Sequence, residues 1–299
     1  MTQSAPQPSN LKAAMWMGGW LTLMLTMLVA ARASARELGT FQILEVRSLI
    51  GMVMLIPLIH LEGGLRAMKT HRIGAHISRN LAHFTGQFCW FLALTMIPLS
   101  QLIAIEFTMP IWAALLSLYF FGERMNAPKI WAIVLGIIGV VIIVRPIGKS
   151  IDPGQLIMLA GAVGFGISIV LVKSLTTTES AVKIIFWMLI IQSLLGFVPA
   201  FNEWVWPSYS VWGWMLIVAF TGTFSHYCMA KAMLYADTMI VVPLDFLRLP
   251  LSALIGWLLY AESLDVYTAI GAALILSGNF FNLKAPRQAV PATSGAAGS

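Results

Sequence analysis

The sequence predicts an all-α membrane protein of ten transmembrane helices, built as an inverted repeat of five plus five. Three observations carry that reading. Of 299 residues, 59% are hydrophobic and only 10% are charged, with a mean hydropathy of +0.85, whereas soluble domains carry about 25% charged residues. Apolar runs long enough to cross about 30 Å of hydrocarbon recur along the whole chain. Finally, residues 89–139 lie over 228–278 without a gap at a constant offset of 139 residues. Eight identities in that overlay, among them Cys89 on Cys228, Phe107 on Phe246 and Gly139 on Gly278, are little above chance for apolar sequence. Glu106 on Asp245 and Glu123 on Glu262 make the register credible, because carboxylates are so scarce here. A duplicated hydrophobic half with a buried carboxylate at matching positions is the pattern of a secondary transporter.

Breaks at charges and at Gly, Pro and Asn clusters delimit the spans 13–32, 41–60, 78–97, 99–121, 128–145, 154–173, 183–201, 211–235, 239–260 and 265–283. The first is too long for the apolar core of a signal peptide, and no small-x-small cleavage site precedes a soluble mature domain. Between the third and fourth only Pro98, Leu99 and Ser100 intervene, but the combined length is too great for one crossing. Pro98, Pro110, Pro243 and Pro250 fall in the fourth and ninth spans or at their ends, so these two are expected to be the least regular. Gly161, Gly164 and Gly166 in the sixth span and Gly18 and Gly19 in the first allow close helix approach, or a rocking of these spans against their neighbours. Residues 1–11 and 285–299 read as disordered cytoplasmic tails, 12–146 as the first five-helix repeat and 147–284 as the second. Because five is odd, the second repeat must enter the membrane inverted, pairing spans three with eight, four with nine and five with ten.

The net charge of +6 is topological. Ten spans put both termini on one side, with Lys12, Arg66, Lys69, Arg72, Arg79, Arg124, Lys129, Lys173, Lys183, Lys231, Lys284 and Arg287. The other side holds Arg32, Arg36, Arg145 and Lys149, and only Arg47 and Arg248 remain inside spans. The excess of basic residues marks the cytoplasmic side, which predicts a multi-pass inner-membrane protein with both termini cytoplasmic and no nucleic-acid partner. Cys89 and Cys228 both sit in spans and offer no disulfide framework.

The layout resembles the EamA-type ten-span family of the drug/metabolite transporter superfamily. One pattern, present twice, carries the resemblance. It runs Ala93-Leu94, Pro98-Leu99-Ser100, Pro110, Gly122-Glu123, Gly136 and Gly139, then Ala232-Met233, Ala236-Asp237, Pro250, Ala261-Glu262, Gly271 and Gly278. Arg47 and Trp16 also stand where such proteins commonly have Arg and Trp. The resemblance covers roughly 12–284 and implies an inverted 5+5 repeat, a central cavity and no ATPase. It leaves the substrate open.

Charged groups inside spans usually mark a pathway or a paired site. Glu106 and Arg47 share a depth below the external face, so the reading pairs them, either as a fixed packing bridge or as a pair that solute or protons compete for. Asp245 and Arg248, three residues apart, share a helix face near the cytoplasmic side. His226 lies at a similar depth, and Asp with His makes a proton-relay couple, although a membrane His is also a common packing residue. His83 has the same two readings. Glu106 and Asp245 would serve opposite gates. Glu123 and Glu262 read as interfacial caps for the following helices, and Glu45 as pointing away from Arg47.

Trp204, Trp206, Trp212 and Trp214 fit an interfacial belt, as do Trp16 and Trp20. Trp90 and Trp112 fall near mid-membrane and either pack or line a cavity, with Gln87 and Gln101 as candidate polar groups. Gly148-Lys149-Ser150 lacks the earlier glycine of a phosphate loop, and no metal or cofactor motif occurs.

The resulting expectation is a secondary active transporter that works by alternating access, proton-coupled or as an exchanger. Its solute would be small, polar or zwitterionic, either amino-acid-like or a cationic metabolite. The substrate/proton-binding candidates are Glu106, Asp245, Arg248, Arg47, His226, Trp90, Trp112 and Gln87. Expected partners are the small-molecule substrate and membrane lipid, in a monomer or homodimer. The alternative is an intramembrane enzyme with Asp245 and His226 as acid and base.

Overall fold

A computed structural model describes residues 9–121, 126–145, 151–236, 238–263 and 265–283. The described residues form twelve α-helices, one 3-10 turn (Leu65–Met68) and no strand. The helices are α1 Asn10–Ser34, α2 Thr40–Leu61, α3 Ile73–Leu94, α4 Leu99–Glu106, α5 Met109–Phe121, α6 Ala127–Val144, α7 Pro153–Leu175, α8 Ala181–Asn202, α9 Tyr209–Tyr235, α10 Thr238–Asp245, α11 Arg248–Tyr260 and α12 Val266–Leu283. Each of the ten apolar runs falls on helix, the fourth and ninth on two helices each. Among the described residues, seven helical stretches are long and apolar enough to cross a membrane. Glu123, Arg124, Gly148-Lys149-Ser150, Asp237, Lys284, Arg287 and both tails beyond these limits lie outside the described residues.

Several helices start where a polar side chain meets the orphan amides of the first turn. Asn126 accepts from Lys129 N at 3.1 Å, and Asp152, ahead of Pro153, from Gly154 N at 2.8 Å. Proline explains the two interruptions. Pro110 and Pro250 have no N–H, so the carbonyls of Glu106 and Phe246 lose their helical partners, and α4 ends at Glu106 and α10 at Asp245. The carbonyl of Phe107, freed at the first break, accepts from Asn279 Nδ2 of α12 at 2.8 Å.

Adding 139 to both ends of α4, α5 and α6 returns both ends of α10, α11 and α12. Both breaks therefore occupy the same place in the register. The most extensive contacts join α1 to α9, α2 to α8, α3 to α7 and α6 to α12, so each pair takes one helix from either half. The pairs run antiparallel. Along α2 and α8, Glu45 meets Ser193, Arg47 meets Gln192 and Gly51 meets Leu189. Along α6 and α12, Ala132 meets Gly278 and Gly139 meets Gly271.

The α6–α12 crossing depends on missing side chains. A Cβ built on Gly139 would lie 2.5 Å from the Gly271 carbonyl oxygen, and one on Gly271 would lie 2.5 Å from that of Gly139. Gly139→Ala is expected to cost about 1–3 kcal/mol through overpacking, read as a lower melting temperature in detergent; an unchanged midpoint would contradict the close crossing. A Cβ on Gly164 would likewise lie 2.9 Å from the Ala82 carbonyl oxygen, whereas nothing lies within 4 Å of a Cβ on Gly18, which has no part in close packing.

Polarity is distributed as a lipid solvent requires. In α6, Ile130, Trp131, Ile137, Ile138 and Val141 are exposed, while Glu106, Arg47, Asp245 and Arg248 are buried. In α3 the buried face is the polar one: His76, Arg79, Asn80, His83, Gln87 and Trp90 recur at three- and four-residue spacing and all point inward. That helix starts at Ile73, five residues before the expected span. Arg79, counted with the cytoplasmic-side charges, is therefore a buried residue of the second turn.

Candidate functional site

A charged side chain costs roughly 2.5–3.5 kcal/mol at the centre of a membrane helix on insertion scales, so the buried charges single out the interior sites. Arg248, the first residue of α11, is 1% exposed. Its Nη1 lies 2.7 Å from Glu106 Oε1 and its Nε 3.3 Å from Asp245 Oδ1, while Nη2 donates to Asp245 Oδ2 at 3.4 Å. The first two contacts are ion pairs without hydrogen-bond alignment. The breaks create this centre, since Glu106 ends α4, Asp245 ends α10 and Arg248 opens α11.

Two tryptophans complete it. Trp90 Nε1 of α3 donates to Glu106 Oε2 at 2.7 Å, and Trp20 Nε1 of α1 donates to Asp245 Oδ1 at 2.7 Å. Phe107 lies under the guanidinium at 5.0 Å and meets its register-mate Phe246 edge-on at 5.6 Å. Two carboxylates share one guanidinium, so the ionised centre holds one negative charge in excess.

Several expected partnerships differ. Glu106 pairs with Arg248 and not with Arg47, because the break turns the end of α4 toward the start of α11. Arg47 instead donates through Nη2 to Gln87 Oε1 at 3.2 Å and to Gln192 Oε1 at 3.0 Å. Asp245 and His226 form no couple: the Trp20 indole bonds the carboxylate, with its ring 5.8 Å from the His226 ring. The two acids do not stand at separate gates but meet on one arginine. Trp20 is a ligand of that centre and not part of a belt. Trp112 stays apart, donating to Thr108 Oγ1 at 3.1 Å, with its Cβ against Gly166.

A second polar locus lies between α2, α3, α7, α8 and α9. It contains Arg47, Arg79, His83, Gln87, Gln192 and His226. The His83 and His226 rings are 6.4 Å apart, and His83 Nδ1 faces Ser168 Oγ at 3.4 Å. Gln192 and Arg79 were absent from the sequence candidates. Arg79 was discoverable from the polar stripe on α3; Gln192 left no such signal. Glu45 is buried and accepts from Ser193 Oγ at 2.6 Å, on the side of α2 away from Arg47.

Both ends of the bundle are tied. At one end Glu262 pairs with Arg32 and accepts from Leu99 N at 2.8 Å. It therefore caps α4 and not the helix that follows it. Asp265 takes that role, accepting from Thr268 N at 3.1 Å and pairing with Arg145. Burial pushes the Asp265 carboxyl up, but the Thr268 hydrogen bonds and the Arg145 charge outweigh it and hold it below its usual range. A cavity of about 230 Å³ opens at this end, lined by residues that include Gln101, Arg145 and Gln155. At the other end His76 Nε2 meets Glu179 Oε2 at 2.7 Å, and Thr70 donates to the same carboxylate. No cluster of metal-binding side chains forms among the described residues.

An interior with a carboxylate-rich centre and a separate arginine locus can bind a charged organic solute and exchange protons. The EamA-like transporter family matches residues 13–145 and 152–284. An S-adenosylmethionine uptake transporter of Rickettsia bellii is 24% identical over 276 residues, covering 91% of this chain and 94% of that protein. A riboflavin transporter of Rhizobium johnstonii is 31% identical over 222 residues, 74% of each chain. A pseudopaline exporter of Pseudomonas aeruginosa is 24% identical, covering 82% of this chain and 86% of that one. A solved protein structure, 19% identical, matches with a TM-score of 0.63 over 91% of this chain and 96% of that chain, a likeness of fold.

Proposed function

The chain belongs to the EamA-like transporter family, within the drug/metabolite transporter superfamily, and from that premise we propose how it transports. It is a multi-pass membrane transporter of small metabolites and not an enzyme. Ten spans, counting each broken helix as one, form two inverted five-helix repeats, residues 12–146 and 147–284, that alternate access to a site between them. The antiparallel packing of α2 on α8, the second spans of the two repeats, and of the register-equivalent α6 on α12 supports the inversion.

The observation that carries the mechanism is the Glu106–Arg248–Asp245 centre at the two matched breaks. Solute and protons compete there for the carboxylate not fully neutralised by Arg248, so translocation is proton-coupled or an exchange. The solute is polar or zwitterionic. Relatives named for uptake and for export support either direction.

Purified protein in sealed proteoliposomes is expected to accumulate members of a radiolabelled metabolite panel, faster with an imposed pH gradient or with a trans solute. Absence of flux under every condition would contradict the reading. Both termini are placed in the cytoplasm by the positive-inside bias. A reporter fused after Ser299 should read as cytoplasmic, and an external signal would overturn the ten-span, termini-in topology.

A further inference from the structure

Arg47 and Arg79 are buried cations that the carboxylate centre does not use. They are 3% and 7% exposed, and no Asp or Glu among the described residues lies within ion-pair distance of either. The Gln87 and Gln192 side-chain oxygens are already taken by Arg47 Nη2. Arg47 Nε, Arg79 Nε, Gln192 Nε2 and the His83 ring nitrogen Nε2 are buried with no hydrogen-bond partner. Glu45, the nearest carboxylate along α2, bonds Ser193 through Oε1 and leaves Oε2 buried without a partner, and neither oxygen is within ion-pair distance of Arg47.

A packing role accounts for part of this. Arg47 joins α2 to α3 and α8 through two glutamines. It does not account for Arg79, whose side chain reaches only Asn80 Oδ1, its own chain neighbour, at 2.7 Å. A buried charge with no counter-ion and unmet N–H groups is an expensive arrangement unless something else supplies the anion. Guanidinium forks match carboxylate oxygens in geometry.

We infer that Arg47 and Arg79 form the subsite for a carboxylate group of the transported solute, an inference that rests on the transport reading above. Excess positive charge at these arginines and excess negative charge at Glu106–Arg248–Asp245 make the interior bipolar. The Trp20, His226 and His83 rings, at successive spacings of 5.8 and 6.4 Å, link the two poles. The matching solute is a zwitterion, its carboxylate at the arginines and its cationic end toward Asp245.

The test is thermal unfolding of the purified full-length protein in detergent at constant ionic strength. It uses benzoate, benzamide, benzylamine and inorganic phosphate at millimolar concentration, because a ligand that binds only the folded state raises the midpoint. Benzoate is expected to raise it by several degrees and benzamide not at all. Arg79→Met should abolish the benzoate shift, and Arg79→Lys should keep part of it. Without ligand, Arg79→Met should melt above the wild type, because it removes an unpaired buried charge; a purely structural arginine would give a lower midpoint.

Equal shifts from benzamide, a larger shift from phosphate, a benzoate shift that survives in Arg79→Met, or a lower ligand-free midpoint would each overturn the assignment. The readout is binding and not flux. A benzoate shift in a protein that moves no solute would leave the subsite standing and sink only the transport reading.

Discussion

Arg248→Met is expected to destabilise the protein by roughly 3–5 kcal/mol, the loss seen when one partner of a buried ion pair is removed. Folded proteins hold only about 5–15 kcal/mol in reserve, so most of the variant should fail to accumulate. The reason is local. Among the described residues Arg248 is the one cation in contact with both Glu106 and Asp245, and its loss strands two carboxylates at the ends of α4 and α10. Their tryptophan donors, Trp90 and Trp20, cannot neutralise them. Adding Glu106→Gln and Asp245→Asn to Arg248→Met should restore much of the stability, because no uncompensated charge then remains. Yield and melting temperature in detergent measure both effects. A wild-type midpoint for Arg248→Met would mean that the three side chains do not form a charge centre.

Asp245→Asn should behave differently: the protein folds, and transport falls by about tenfold or more, equivalent to about 1.4 kcal/mol in a limiting step. Asn keeps an oxygen for the Trp20 N–H, and Arg248 keeps Glu106 at 2.7 Å. What disappears is the excess negative charge. Between the two acids, Asp245 is held more loosely, at 3.3 and 3.4 Å, and is the one freer to exchange Arg248 for a proton or a solute cation. Glu106→Gln should therefore impair flux less and stability more. Equal behaviour of the two variants in both measurements would remove this distinction.

Much of the fold was legible in the sequence because a bilayer admits few solutions. Every apolar run fell on helix, and the register drawn through Glu106 and Asp245 matches the ends of α4–α6 to those of α10–α12. The prolines located the irregular spans, and Pro110 and Pro250 now account for the breaks. Partner choice was less legible. Depth along a helix does not report rotation or the tilt after a break, so shared depth and opposite charge matched Arg47 to Glu106. Arg79 was counted with the cytoplasmic-side charges because it stands at the start of the third span, 78–97. The inward stripe of His76, Arg79, His83, Gln87 and Trp90 was the available counter-signal. Trp20 sits mid-way along α1, too deep for an interfacial belt, and its bond to Asp245 depends on a fold that brings residues 225 positions apart together.

The central claim is that the carboxylate centre at the two helix breaks carries the transport chemistry and is not only a structural brace. The most direct measurement pairs solute flux in proteoliposomes, at two pH values, with melting temperature in detergent for wild type and Asp245→Asn. The account predicts a folded variant with a near-native midpoint and flux that is lost or no longer responds to pH. Native flux with native pH dependence in Asp245→Asn, or a loss of flux that only tracks a loss of stability, would contradict it.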